Sequence, residues 1–239
     1  KLRYLALTDN KLVSGDNSFK IKISVDQKGK TLTVSDNGIG MNESELDDNL
    51  GTIARSGTGA FVESLSGDET KDVGLIGQFG VGFYSAFMVA EKVDVLTRKA
   101  GEKDAWKWSS DGLGEYTVEK TTKEDRGSSI TLHLKKDAKE LEDLRLRTIV
   151  KAYSDHISIP IVLAKDKEEE SLNEASAIWT RQKKDITQDQ YTEFYRHVSS
   201  GYDEPWMTTH WRAEGRFDYS ALLFVPSKRP FDLFHPDRK

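Results

Sequence analysis

The stretch Ser35-Asp36-Asn37-Gly38-Ile39-Gly40-Met41 closes an alternating segment and carries a carboxylate into a glycine-rich loop. Gly38 and Gly40 flank Ile39, so the backbone can turn sharply while the preceding strand fixes the direction of the Asp36 carboxylate. Such a group can accept the exocyclic amino hydrogen of adenine. Buried among apolar neighbours alone, the carboxylate would be strongly penalised by desolvation, so it requires a donor, a water or a ligand amino group. The alternative is an ordinary Asp-Asn-Gly turn whose polar side chains bond their own backbone.

Upstream, Phe19, Ile21, Ile23 and Val25 alternate with polar neighbours. Lys28-Gly29-Lys30 supplies a turn, and Leu32 and Val34 resume the alternation, which predicts a hairpin delivering Asp36 at its end. Lys1 to Thr8 reads as the tail of a helix. Downstream, Asn42-Glu43-Ser44-Glu45 has the chemistry of a helix start. Helices are expected over 43–50, 59–65 and 81–90, and strands over 92–98, 105–109, 115–120 and 129–134, with glycines near the connections. The result is a largely antiparallel sheet. Leu141, Leu144, Ile149, Val150 and Tyr153 predict a further helix, and Ile157 to Leu163 an apolar strand.

The run Lys165-Asp166-Lys167-Glu168-Glu169-Glu170 has little apolar content and reads as a solvated linker. Three parts are therefore expected: a first domain over 1–164, a charged linker over 165–174, and the beginning of a second domain over 175–239. In the last part 188–198 reads as a helix, and 213–217 and 219–225 as paired strands.

The 239 residues are 36% hydrophobic and 31% charged, with 18 Gly and 5 Pro, which excludes a wholly disordered or collagen-like chain. Neither a stretch of about 18 apolar residues nor a signal-peptide pattern occurs, so no membrane association is expected. Zero cysteines exclude disulfides and thiolate-ligated metals and suit a reducing cytoplasm, the expected location. With 35 Lys plus Arg against 40 Asp plus Glu, the net charge of −5 offers no global basic field for nucleic acid.

A second constellation, Gly74-Leu75-Ile76-Gly77-Gln78-Phe79-Gly80-Val81-Gly82-Phe83, places glycines where main-chain N–H groups can approach an anion. A helix after Val81 would add its positive end for phosphate. No Lys-Ser or Lys-Thr pair follows, which argues against a P-loop, and the order Gly-x-x-Gly-x-Gly argues against a dinucleotide fold. The same glycines also suit a tight helix start or a hinge. Between the two constellations, Asn49 could contact sugar or phosphate and Arg55 could neutralise phosphate charge, with a solvated surface cation as the alternative for Arg55. Met41 and Phe83 offer apolar surface to a planar ring or to the core. Ser128, ahead of a predicted strand, could complete an adenine-side network directly or through water, with an ordinary strand-entry turn as the alternative. His133, His156, His197, His210 and His235 form neither a triad nor a metal set by spacing.

Together, residues 36–41, 50–58 and 77–85 resemble the bacterial ninety-kilodalton heat-shock chaperone family. Tyr153-Ser154-Asp155-His156, Ile178-Trp179-Thr180-Arg181 and Pro230-Phe231-Asp232-Leu233-Phe234 extend the resemblance over almost the whole chain. It implies an α+β fold: a GHKL-type, or Bergerat, two-layer α/β sandwich followed by an incomplete α/β middle domain. It also implies binding of ATP or ADP, with Mg2+ accompanying ATP in the complete protein, client proteins as partners, and a homodimer. By the same resemblance, Asp36 accepts the adenine amino group, Gly40 and Met41 line that end, Asn49 faces nucleotide and Ser128 supports a water network. Gly77, Gln78, Phe79, Gly80, Val81, Gly82 and Phe83 form the phosphate side near Arg55, with 52–77 as a lid. The family's catalytic glutamate and magnesium-binding asparagine are expected before Lys1, and its catalytic arginine after Lys239. A GHKL-type histidine-kinase region is the enzymatic alternative, and a non-catalytic interaction module the structural one.

Overall fold

The computed structural model describes all residues except 14, 53–54, 65–76, 78, 137, 139–141, 166–167, 176, 200–201, 214–218 and 230–239, and not the side chains of 60 and 62–64. The chain divides into two compact units, Lys1–Ala175 and Ser176–Lys239.

The first unit is built on an eight-stranded sheet. In chain order it comprises α1 (Leu2–Thr8), β1 (Ile21–Asp26), β2 (Thr31–Asp36), α2 (Glu43–Leu50), α3 (Gly57–Ser64), β3 (Ala90–Arg98), β4 (Ala105–Ser110), β5 (Tyr116–Thr121), β6 (Gly127–Leu134), α4 (Asp143–Ser154), β7 (Ile161–Lys165) and β8 (Glu168–Ser171). Short 3-10 helices cover Asn10–Val13 and Gly82–Met88. The sheet order is β5-β4-β3-β6-β2-β1-β7-β8, antiparallel throughout except for the parallel β1–β7 pair.

The predicted hairpin is β1–β2, with Ile23 opposite Val34 and Ile21 opposite Asp36. Asp26 fixes its turn by accepting from the N–H groups of Lys28 and Gly29 at 2.9 and 3.0 Å. Period-two alternation sends Ile23, Leu32, Val93, Val95, Trp108, Leu132 and Leu134 to one face, where they form the buried core. Leu46 and Leu50 of α2, and Leu146 and Val150 of α4, lie four apart on their helices and close that face. The opposite face carries Thr33, Thr131, Asp94, Lys107 and His133. There Asp94 accepts from Ser109 Oγ at 2.7 Å and pairs with His133 Nε2 at 2.9 Å.

Several expectations need correction. The segment read as a strand from Ile157 enters the sheet only at Ile161, because Pro160 has no N–H to donate; its carbonyl accepts from Ile21 instead, at 2.8 Å. The charged run is not a linker throughout. Residues 168–171 form β8, an edge strand whose charges pair with neighbours: Glu169 with Lys20 at 2.7 Å and Lys22 at 3.3 Å, and Glu170 with Arg147. Behind it, buried Asn173 accepts from Ile161 N–H and donates to the carbonyls of Ile157 and Ile159, which seals the end of the first unit. The helix expected over 81–90 is a 3-10 helix at Gly82–Met88. Phe83, Ala86 and Val89 all pack against the core, a spacing of three that suits three residues per turn.

In the second unit, α5 (Gln188–Ser199) is followed by β9 (Pro205–Ala213) and β10 (Tyr219–Pro226), an antiparallel pair with Leu222 opposite His210. Of the strand expected over 213–217, residues 214–217 lie outside the described residues; the strand paired with β10 among the described residues runs from Pro205 to Ala213. Pro205 and the buried polar His210 mask its alternation; His210 Nδ1 meets Tyr191 Oη at 2.7 Å and its Nε2 meets the Trp179 carbonyl at 3.0 Å. Among the described residues, no helix is long and apolar enough to cross a membrane.

Candidate functional site

Strand register gathers the site's polar side chains. Thr97 of β3 pairs with Ser128 of β6, and Asp36 lies one step beyond the Ser35–Ser129 pair of β2 and β6. Asp36, Ser128 and Thr97 therefore form a row across three neighbouring strands on the inward face. The next row inward, Val34, Ile130 and Val95, is apolar. Thr97 is 0% exposed, and its hydroxyl is fully engaged. It accepts from Met41 N–H at 2.9 Å, meets Ser128 Oγ at 2.9 Å, and lies 3.3 Å from the Gly127 carbonyl.

Asp36 is half-buried, and its Oδ1 accepts from Gly38 N–H at 2.8 Å. Burial holds its carboxyl above the ordinary carboxylate range, opposed by the N–H groups of Gly38 and Ser128 and by the positive charge of Lys123. Lys123 is anchored on the Asp125 carbonyl at 2.9 Å; burial lowers its pKa, while Asp125 and Asp36 pull it back up. The ordinary-turn reading thus accounts for one Asp36 oxygen. It also accounts for Asn37, whose Oδ1 accepts from Lys20 N–H and whose Nδ2 donates to the Ser18 carbonyl.

Two glycines make this close packing possible. Gly40 has φ +66°, and a Cβ there would sit 2.0 Å from the Arg98 carbonyl oxygen. Gly127 has φ +97°, and a Cβ there would sit 2.1 Å from the Asp36 carbonyl oxygen. Beyond Met41, Asn42 caps α2 reciprocally with Glu45, and Glu45 Oε1 also pairs with Lys99 at 2.8 Å, which fixes the helix that presents Asn49.

A cleft of about 330 Å³ opens beside this row. Among the predicted residues, Gly40, Met41, Asn49, Arg55, Gly77, Gly80, Gly82 and Phe83 line it. Asp36 and Ser128 are not in its lining; Ser128 Oγ is linked to the backbone of the lining residue Met41 through the Thr97 hydroxyl. Phe79 and Val81 are 81% and 53% exposed and likewise lie outside the lining. Gln78 and most of the expected lid fall outside the described residues. Arg55 is on the surface, paired with Asp48 at 2.9 Å. Phe83 meets Trp108 edge to face at 5.5 Å, so it serves core and cleft together.

Sequence reading missed Thr97 and Gly127 and took Ser56 and Thr58 only as part of the lid segment. Ser56 and Thr58 line the cleft, and Ser56 Oγ donates to the Gly77 carbonyl at 2.6 Å while accepting from the N–H groups of Thr58 and Gly59 at the start of α3. For Thr97 there is a signal in the sequence, a hydroxyl interrupting the inward series Val93, Val95. Its weight depends on the partner strand thirty residues away.

An antiparallel sheet covered on one face by helices, with the loop after β2 and the glycine segment before β3 meeting at one cleft, is the Bergerat type of ATP-binding fold. The family of histidine kinase-, DNA gyrase B- and HSP90-like ATPases matches residues 6–146, and the Hsp90 protein family matches residues 164–239. The chain belongs to the Hsp90 branch of these ATPases. It is 59% identical over 240 residues to the chaperone protein HtpG of Roseobacter denitrificans and 58% over 244 residues to that of Rhodospirillum rubrum. Identity to the HtpG of Paramagnetospirillum magneticum is 56% over 241 residues. Each comparison takes in all of this chain, which spans 38 to 39% of the length of these relatives.

Proposed function

We propose that this chain is the nucleotide-reading part of an ATP-dependent chaperone that remodels client proteins in the cytoplasm as a homodimer. The observation that carries the reading is the row of Asp36, Ser128 and Thr97, tied through Thr97 to the backbone of Met41 in a glycine-lined cleft, in a fold of this ATPase family. Asp36 has one oxygen fixed by Gly38 and lone pairs to spare for an adenine amino group. Gly40 and Met41 give that end an apolar floor, and Ser128 acts through water. Asn49, Arg55 and the segment from Gly77 to Phe83, Gln78 included, would face sugar and phosphates. Main-chain donors there can approach closely, since a Cβ at Gly82 would meet nothing within 4 Å.

Among the described residues, no group of three His, Asp or Glu could hold a metal ion. Magnesium would accompany ATP, with the phosphates and water supplying most of its oxygen shell. Once bound, it would neutralise phosphate charge. The residues of this chain bind and orient the nucleotide, and lid closure over 52–77 would exclude water. No nucleic acid is expected as a partner at a net charge of −5. Calorimetric titration of the chain with ADP and ATP tests the reading: saturable binding of both is expected, and a folded protein that takes up neither overturns it.

A further inference from the structure

The geometry points to Thr97 as a positioning residue for base specificity, one that fixes the Ser128 hydroxyl in place and in polarity so that it donates toward the bound base. This inference rests on the nucleotide reading above. A threonine hydroxyl has one proton and two lone pairs. Met41 N–H occupies one lone pair of Thr97 Oγ1, at 2.9 Å. Two oxygens then compete for the proton: Ser128 Oγ at 2.9 Å and the Gly127 carbonyl at 3.3 Å. The first falls within the usual range for O–H···O and the second beyond it, so Thr97 donates to Ser128. Ser128 must then send its own proton to an acceptor other than Thr97, and on the nucleotide reading that acceptor is a water at the base.

Asp36 and Ser128 sit on adjacent strands, roughly 5 Å apart. The amino group and ring nitrogen N1 of adenine are much closer together than that, so with Asp36 on the amino group, Ser128 reaches N1 through one water. The proton order is Thr97 to Ser128, Ser128 to water, water to N1. An adenine N1 accepts; a base carrying a proton at that position meets a donor and is disfavoured. Burial of Thr97 at 0% exposure keeps bulk water from reversing the order.

The test compares ADP with 1-deazaadenosine diphosphate, which keeps the amino group and lacks N1, by calorimetry on the whole chain. The native protein should bind the deaza compound roughly five- to tenfold more weakly, the loss of one hydrogen bond. In Thr97→Val the Ser128 hydroxyl turns among three staggered positions, and the ratio between the two ligands should shrink by about threefold. Thr97→Ser should restore the ratio, and Ser128→Ala should abolish it whether or not Thr97 is present. Loss of the Met41 bond alone would weaken both ligands equally and leave the ratio intact, which would overturn the inference. So would a native protein that binds ADP but does not sense N1, whereas failure to bind ADP at all would remove the nucleotide reading itself. If the valine variant does not fold, Thr97→Cys, with a weakly donating thiol, carries the same comparison.

Discussion

Replacing Asp36 by Asn exchanges a charged acceptor for a neutral amide without changing size, and the surroundings dictate how that amide sits. Gly38 N–H donates to Oδ1 at 2.8 Å, and the Ser128 N–H faces the same group. An asparagine oxygen would keep the Gly38 bond and turn its NH2 toward the ligand. A donor would then oppose the adenine amino group, which is itself a donor. The loss of a charge-assisted bond, about 1.5 to 3 kcal/mol, becomes roughly a ten- to hundredfold weaker affinity for ADP. Stability should move the other way. Burial raises the Asp36 pKa above its ordinary 3.8, against the pull of Gly38, Ser128 and Lys123. A raised folded value favours the protonated form; that contribution is complete below the unfolded pKa and is lost as pH rises through the folded one. At neutral pH the ionised carboxylate therefore opposes folding, and Asp36→Asn should melt no lower than the native chain without nucleotide. The assays are calorimetry with ADP and with purine riboside diphosphate, which lacks the amino group, alongside thermal melting of the free protein. An equal loss on both ligands would refute the amino contact, and a large drop in melting temperature would refute the assigned burial penalty.

Gly40→Ala should destabilise the fold by more than about 2 kcal/mol, because left-handed backbone strain adds to a clash with the Arg98 carbonyl 2.0 Å away; an unchanged urea midpoint would contradict this. Trp108, 2% exposed, ties Phe83 and Tyr116 to the core, so Trp108→Ala should cost about 3 to 5 kcal/mol in denaturant unfolding, and an unchanged midpoint would contradict this. Asp94 is partly buried, which alone would raise its pKa, but hydrogen bonds from Ser109, His133 and Lys92 and the charge of Lys107 bring it down to about 2. Its contribution is present above the unfolded value and lost as pH falls through the folded one. Asp94→Asn should accordingly be less stable by on the order of 1 to 2 kcal/mol at neutral pH. The two chains should converge in unfolding titrations toward pH 2.

What could be read along the chain was whatever depends on neighbours in sequence. The β1–β2 hairpin follows from alternation around Lys28-Gly29-Lys30, and the start of α2 from the reciprocal Asn42–Glu45 pattern. The edge strand β8 was hidden because its glutamates are neutralised by Lys20, Lys22 and Arg147, partners at sequence separations the run itself does not reveal. Likewise the 3-10 helix follows from packing at Phe83, Ala86 and Val89, which becomes visible only against the core they meet. In the site, Asp36 and the glycines stand out by local pattern, whereas Thr97 looks like one more strand hydroxyl until β6 brings Ser128 alongside it.

That contrast explains how a binding site can be cut into a core without dissolving it. A row of Asp, Ser and Thr on an inward sheet face would normally carry the penalty of unpaired buried polar groups. Here the backbone meets much of the demand. Met41 N–H and the Gly127 carbonyl flank Thr97, Gly38 N–H holds Asp36, and close passage at Gly40 and Gly127 brings those groups within reach. The glycines near Asp36 thus fix hydrogen bonds, while Gly82, open around its α-carbon, leaves its backbone accessible. On the nucleotide reading proposed above, the remaining demand falls on the free lone pairs of Asp36 and the proton of Ser128, which would be complementary to an amino group and an adjacent ring acceptor. A fold that satisfies its polar row except where a purine edge would complete it gains both stability and selectivity on binding, because the ligand supplies the missing partners.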